Sequence, residues 1–485
     1  MRSSTTPRPT MLRIVAVRYH SGVARVRSLP HWAFALALVV GAGAALRAER
    51  AVHHGAFLST DERAYAALGR ALSHGYYDVR EMNDPLHWPP GTPLLFAVAR
   101  KLTGVHDSVL APAAAYWAQA LVGVALILAV FLLARLLAGP WPGVVAAACV
   151  ALYPPLVVIT GDMVSEPLGA LTIALGLLAL AWAWRAEPPA PWRFAVAGAL
   201  TGVAILVRAD LLILPLVLAF VVALTLRRTG ARRALLAAGA YLLAAVLALA
   251  PWSIYATSRR QQLTPITSSS WSGLFVGTYL PADGRIFRLR EKLGDEARAH
   301  NPKIRDVDND NLRTEWILDA VAARHPDLGR SDALRRETLR NLRRYALGRP
   351  LAFAGMQVRK LERLWIGYDR GTHHKERAWI LAIHLLLSAA GLGGLLYGLW
   401  RPRHPALWAI LATVLTVTAV NSFFVSEARH NVRMVPLLVA GGAAGVAMAR
   451  VSGRGRAERS EPPRADASAR VAPRVERRSA AGAGR

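Results

Sequence analysis

The constraint that dominates this chain is the length of its apolar runs. Windows at 30–49, 111–134, 142–160, 164–184, 234–256, 379–400, 405–424 and 434–449 are poor in charge, and about 20 apolar residues in helical form span the hydrocarbon of a bilayer. Two shorter runs, FAVAGALTGVAILV (194–207) and LLILPLVLAFVVALTL (211–226), are separated only by RAD and read as two helices meeting in a tight turn at one membrane face. Composition agrees, because 54% hydrophobic against 19% charged residues does not suit a soluble core built from short alternating runs. The expected fold is therefore all-α: a polytopic membrane protein of about ten transmembrane helices plus a small, mainly helical extracytoplasmic domain.

The formal net charge of +28 would point to nucleic acid in a soluble protein. Here the arginines lie beside the apolar runs, where they set orientation, so no nucleic-acid partner is expected. The leader 1–29 holds Arg2, Arg8, Arg13, Arg18, Arg25 and Arg27 and no acidic residue, which places it in the cytoplasm. The first run lacks a small-residue cleavage site and reads as a retained anchor. With ten crossings, RRTGARR (227–233), RPRH (401–404) and the Arg-rich tail all fall on the leader's side. The expected division is a basic leader (1–29), an N-terminal transmembrane module (30–256) with its first outer loop at 50–110, an extracytoplasmic domain (257–378), C-terminal transmembrane helices (379–449) and a disordered basic tail (450–485). The lone Cys149, inside an apolar run, allows neither a disulfide framework nor a thiolate metal site. No Gly-rich phosphate loop supports nucleotide hydrolysis. Arg-over-Lys and Ala-rich usage fits a GC-rich bacterial genome, hence a bacterial plasma (inner) membrane.

On this topology the polar chemistry gathers on the extracytoplasmic face. The first outer loop carries STDERAY with Asp61, Glu62, Arg63 and Tyr65; the next turn is TGDMVSEP with Asp162 and Glu166; RAD supplies Arg208 and Asp210; and the last turn is SEARHNVR with Arg429 and Arg433. Charges bordering apolar spans cost free energy unless they face a protein interior or a site, so their concentration on one face calls for a function. The stretch from Asp61 reads as a short amphipathic helix, with Tyr65, Leu68 and Leu72 on one side, lying on the membrane. HWPPGTPLL follows, with a rigid Pro-Pro-Gly turn.

These pieces resemble the GT-C glycosyltransferases that use polyprenyl-phosphate sugars, in particular the branch of dolichyl-phosphate-mannose protein mannosyltransferases and bacterial lipid A aminoarabinose transferases. The matching elements are the Asp61-Glu62 pair with Tyr65, WPPGTPLL (88–95), YPP (153–155) before SEPL (165–168), Arg208, PWSIY (251–255) ahead of a large outer loop, and RHNVRMVPLL (429–438). The order and spacing carry the resemblance across most of the chain. It departs from the aminoarabinose branch in two places: Arg63 follows the acidic pair at once, where that branch has its basic residue one position later, and His87 stands where that branch has a Lys.

The resemblance implies catalytic residues Asp61 and Glu62, with Asp61 as the general base that takes a proton from the acceptor hydroxyl. A carboxylate at a low-dielectric boundary is physically suited to that work. A departing lipid phosphate needs cations, for which Arg63, His87, Arg208, Arg429 and Arg433 are the donor-phosphate candidates. Tyr65, Asp162, Glu166 and Asp210 are acceptor-binding or structural polar groups. Tyr345, Trp365 and Tyr368 are either sugar-stacking or core aromatics. No cofactor is called for, and a divalent cation stays open. The expected partners are a polyprenyl-phosphate sugar donor and an extracytoplasmic acceptor, whether protein, glycan or lipid, with the sugar unspecified. The alternative is a transporter or flippase of lipid-linked sugars, which would place charges near mid-bilayer and show paired broken helices. A membrane scaffold would leave the acidic pair and the terminal Arg motif without purpose.

Overall fold

In a computed structural model the chain is a helical bundle, with no strand among the described residues, which are 30–55, 58–79, 82, 84–105, 109–366, 377–400, 404–427 and 429–460. The leader, most of the basic tail and Tyr368 lie outside them. The helices in chain order are α1 (His31–Val52), α2 (Thr60–Ser73), α3 (Gly91–Thr103), α4 (Ala113–Ala138), α5 (Pro140–Ala151), α6 (Pro154–Val158), α7 (Glu166–Ala183), α8 (Pro191–Val207), α9 (Leu214–Leu226) and α10 (Ala231–Arg260). There follow α11 (Ser270–Thr278), α12 (Ile286–His300), α13 (Thr314–Ala323), α14 (Arg330–Asn341), α15 (Pro350–Trp365), α16 (Arg377–Trp400), α17 (Pro405–Phe423), α18 (Arg429–Val432) and α19 (Val435–Ser460). Proline at the first turn starts α5, α7, α8, α15 and α17, where its missing N–H is no loss.

All ten apolar stretches are helical, but ten spans are not confirmed. Among the described residues eight helices are long and apolar enough to cross a bilayer, or up to nine if α5 with the segment Pro154–Gly161, bent by 59°, is one span. The stretch at 194–207 falls in α8, which is shorter. The chain is a multi-pass membrane protein, and its lipid-facing sides show it: Leu121 in α4, Phe220 in α9 and Leu247 in α10 are exposed, while Leu126, Leu218 and Tyr241 on the same three helices are buried.

Spans α16 and α19 cross backbone to backbone. A Cβ on Gly394 would lie 2.7 Å from the Gly442 carbonyl oxygen, and one on Gly398 would lie 2.4 Å from Gly445 Cα. Small residues let the helices close on each other where lipid supplies no hydrophobic drive. Helices α11–α14 form a second cluster with its own buried set, including Phe275, Leu289, Ile317, Val321 and Leu334. Tyr345 is buried against Phe353 and Met356, so it is a packing residue and not a sugar platform. Trp365 is likewise partly buried against the main core.

Helix α2 corrects one expectation. Its apolar side does not lie on lipid, because Tyr65 packs with Phe96 and Tyr116, and Leu68 and Ala71 pack with Tyr77 and Leu86. The protein itself covers that face.

Candidate active site

Two adjacent carboxylates on a helix point about 100° apart, so they cannot share one job. Glu62 turns inward: its Oε2 accepts from Ser59 N at 2.8 Å and its Oε1 from Met163 N at 3.1 Å, while Glu62 N donates to Ser59 Oγ at 3.4 Å. That reciprocal pair is a capping box that starts α2, and the Met163 bond fastens the first loop to the turn before α7. With both oxygens taken by backbone amides, Glu62 holds the loop in place. Asp61 points the other way, a third exposed, and accepts from Arg429 Nη2 at 2.6 Å.

Behind that pair runs a row of alternating charges from four separate elements. Arg429 Nε donates to Glu427 at 2.9 Å and lies 3.9 Å from Glu166 Oε1. Arg208, in the turn between α8 and α9, donates to the same Glu166 oxygen at 3.1 Å, to Ser165 Oγ at 2.9 Å and to Asp210 Oδ1 at 3.4 Å. Arg433 grips Asp210 with both guanidinium branches, one of them 3.0 Å from Oδ1 and the other on Oδ2, and Asn421 adds a bond to Oδ2 at 3.1 Å. Gly169 leaves the room: a Cβ there would lie 3.0 Å from Arg208 Cδ. Tyr65 sits beside the row, and burial together with Asp61 pushes its phenol well above the usual range.

The structure thus brings Asp61, Tyr65, Glu166, Arg208, Asp210, Arg429 and Arg433 together. It separates Arg63, which is exposed and donates Nε to the Leu58 carbonyl at 3.1 Å. His87 packs its ring on Trp88 with centroids 4.4 Å apart, and burial pushes its pKa down despite Glu315, Asp84 and Asp61. Among the described residues no hydrogen bond joins that ring to the row, and its contact with Trp88 is a packing contact. Ser165, Asn421 and Glu427 were not singled out from the sequence; Asn421, a lone amide at the end of an apolar run, was the one legible signal.

Exposure sorts the arginines. Arg433 has no accessible side-chain surface and Arg208 has 13%, whereas Arg429 has 34%. Each guanidinium already holds a carboxylate, so an incoming anion must exchange with one, and only Arg429 has both the access and a partner, Asp61, that is itself accessible. Among the described residues no group of three or more His, Cys, Asp or Glu side chains is gathered to hold a metal ion.

Asp162 flanks the site in the turn before α7, and burial, reinforced by the Glu62 charge, pushes its carboxyl up to about 7. The folded chain therefore retains a proton that the unfolded chain loses near pH 3.8, and stability contributed by this group falls as pH rises through that window. Asp162→Asn should raise the melting temperature of the detergent-solubilised chain at pH 8 and leave it nearly unchanged at pH 4. Equal shifts at both pH values would show that the carboxyl is not held protonated.

Residues 87–255 match the family described as dolichyl-phosphate-mannose-protein mannosyltransferase. The fold is shared with the archaeal oligosaccharyltransferase AglB from Archaeoglobus fulgidus, in complex with an inhibitory peptide and a dolichol-phosphate, at 14% identity and TM-score 0.52, covering 88% of this chain and 51% of that one. The family match covers residues 87–255, and the shared fold extends over most of the chain. The same oligosaccharyltransferase tethered to an acceptor peptide matches at 16% identity and TM-score 0.52, covering 89% of this chain and 51% of that one. The chain thus spans about half the length of that archaeal enzyme. ArnT from Cupriavidus metallidurans, bound to undecaprenyl phosphate, matches at 17% identity and TM-score 0.40, covering 87% of this chain and 79% of that one. No curated protein matches the chain.

Proposed function

We propose that this chain is an integral-membrane glycosyltransferase that moves a sugar from a polyprenyl-phosphate donor to an acceptor hydroxyl, with Asp61 as general base. The observation that carries the reading is the Asp61–Arg429 pair at the accessible end of an otherwise buried charge row. It sets a base beside a cation where a lipid phosphate and a hydroxyl can both arrive. The family description, which names a polyprenyl-phosphate sugar, supports the donor class, as does the dolichol-phosphate bound by the archaeal enzyme.

The pair also dictates an order of events. While Asp61 holds Arg429, the base is engaged and the cation neutralised. A donor phosphate takes Asp61's place on Arg429, and the freed carboxylate faces the acceptor. Asp61 then removes the hydroxyl proton as the acceptor oxygen bonds to the anomeric carbon, the bond from that carbon to the phosphate oxygen breaks, and the lipid phosphate leaves with one more negative charge, which Arg429 stabilises. Arg208, Glu166, Asp210 and Arg433 form the rigid backing that keeps Arg429 in place, a positioning role that suits their burial.

The site is assigned to the outer face of a bacterial plasma membrane. RRTGARR joins α9 to α10 at the end of α9 away from Arg208, so the basic connection and the charge row lie at opposite ends of that helix, in accord with the positive-inside rule. Two measurements test the proposal. The purified chain in nanodiscs, given polyprenyl-phosphate sugars and an envelope extract as acceptor source, should release polyprenyl phosphate. Intact donor crossing a vesicle bilayer without release would make the chain a flippase instead. A cysteine at Ser331 should react with an impermeant maleimide from outside whole cells, and labelling only after lysis would invert the topology.

A further inference from the structure

Helix α15 has two unlike sides. Phe353, Met356, Lys360 and Leu364 face the protein and are buried. On the opposite side Leu351 is 88% exposed and Val358 64%, and Ala354 and Leu361 continue the same stripe at spacings of three and four residues. Just before the helix Leu347 is 79% exposed. Such a contiguous apolar stripe is not left in water by a stable soluble surface.

What covers it follows from where α15 is fastened. Its C-terminal half is tied to the heads of membrane spans: Ser426 Oγ donates to the Lys360 carbonyl at 2.8 Å, Asn431 donates to the Leu364 carbonyl, and His384 in α16 bonds the Trp365 carbonyl at 3.1 Å. Asn431 lies in the span Arg429–Val451 and His384 in the span Ala378–Trp400. The helix is therefore held where those two spans meet, with its apolar stripe turned away from the protein. Its approach is basic: residues 338–361 contain no Asp or Glu, the exposed Glu362 lies past the stripe at the C-terminal end of the helix, and Arg343, Arg344 and Arg349 are exposed with no acidic partner among the described residues. An apolar stripe flanked by arginines that hold no carboxylate is the pattern of a helix lying in the headgroup region of an anionic bilayer.

We propose that α15 is an in-plane lipid anchor: its Leu351–Leu361 stripe enters the acyl boundary of the bilayer, and Arg343, Arg344 and Arg349 bind lipid phosphates. This surface is distinct from the charge row, and it gives to α15 the lipid contact that the sequence suggested for α2.

The test uses the full chain, with Cys149→Ala, one protein per nanodisc of phosphatidylcholine and phosphatidylglycerol. Single cysteines at Leu351 and Val358 carry an environment-sensitive fluorophore, and Asp295, whose side chain is fully exposed, is the aqueous control. Positions 351 and 358 should emit blue-shifted and be quenched several-fold more strongly by acyl-chain nitroxide lipids than position 295, which aqueous iodide should quench instead. Arg343→Gln, Arg344→Gln and Arg349→Gln together should weaken the nitroxide quenching in phosphatidylglycerol discs and not in pure phosphatidylcholine. Iodide quenching at 351 and 358 equal to that at 295 would overturn the anchor. Protection seen only with two copies per disc would replace it with a dimer contact, and an unchanged triple variant would remove the lipid-phosphate contacts.

Discussion

Asp61→Asn should lower sugar transfer by roughly 100-fold or more, in line with general-base contributions, while leaving the fold intact. Asparagine keeps the shape of aspartate and can still accept a bond from Arg429, but it cannot take the acceptor's proton. The direction of the binding effect is the sharper part of this expectation. On the proposed order of events Asp61, 2.6 Å from Arg429, competes with the donor phosphate, so removing its charge should leave donor affinity unchanged or tighten it by up to about tenfold, the gain being limited because the pair is a third exposed. Turnover and polyprenyl-phosphate affinity measured together decide the matter. Normal turnover removes Asp61 from the reaction, and weakened affinity makes it a donor-binding residue.

Arg429→Ala should do the reverse, weakening polyprenyl-phosphate binding by about tenfold or more, since a hydrogen bond to a charged group contributes about 1.5–3 kcal/mol. Arg429→Lys should recover part of that loss, because the ammonium restores charge without the two-pronged fork. Arg433→Ala gives the contrast. It takes away the two-branched partner of Asp210, whose carboxylate is only 14% exposed, and leaves it Arg208 at 3.4 Å and Asn421 at 3.1 Å, so the loss of stability should be below the roughly 3–5 kcal/mol that follows when a buried charge loses every partner. That change should appear as loss of folded protein in detergent, beyond any effect on affinity in the fraction that folds. Equal donor affinity for the parent and Arg429→Ala would end the clamp assignment.

How much of this was legible beforehand depended on whether the signal was local. Apolar runs gave the helices, because burial in lipid needs only composition and length. The RAD turn gave a break between α8 and α9 for the same reason. The Asp61-Glu62 pair was legible as a place but not as two roles, although the spacing of Ser59 and Glu62 is itself the signature of a capping box. Arg63 and His87 stood as donor-phosphate candidates for their charge and for their places in the resemblance, and the structure turns Arg63 outward and packs His87 on Trp88. The expectation for α2 failed for another reason: helical periodicity marks an apolar side but says nothing about what covers it. The grip of Arg433 on Asp210 joins residues 223 positions apart, and no local pattern records such a pairing.

That separation also matters while the chain is being made. Translation adds roughly 5–20 residues per second, so Arg433 emerges roughly 11–45 s after Asp210 across the 223 intervening positions. For that time the nascent segment around α9 must enter the bilayer with an acidic side chain whose final partner does not exist, at an insertion cost of about 2.5–3.5 kcal/mol at mid-membrane and less near the surface. Arg208, two residues upstream and 3.4 Å from Asp210 in the finished fold, is already present to shield it. Among the described residues Arg208 and Arg433 are the guanidinium partners of Asp210, so until residue 433 is made the neighbour two positions upstream is the cation at hand.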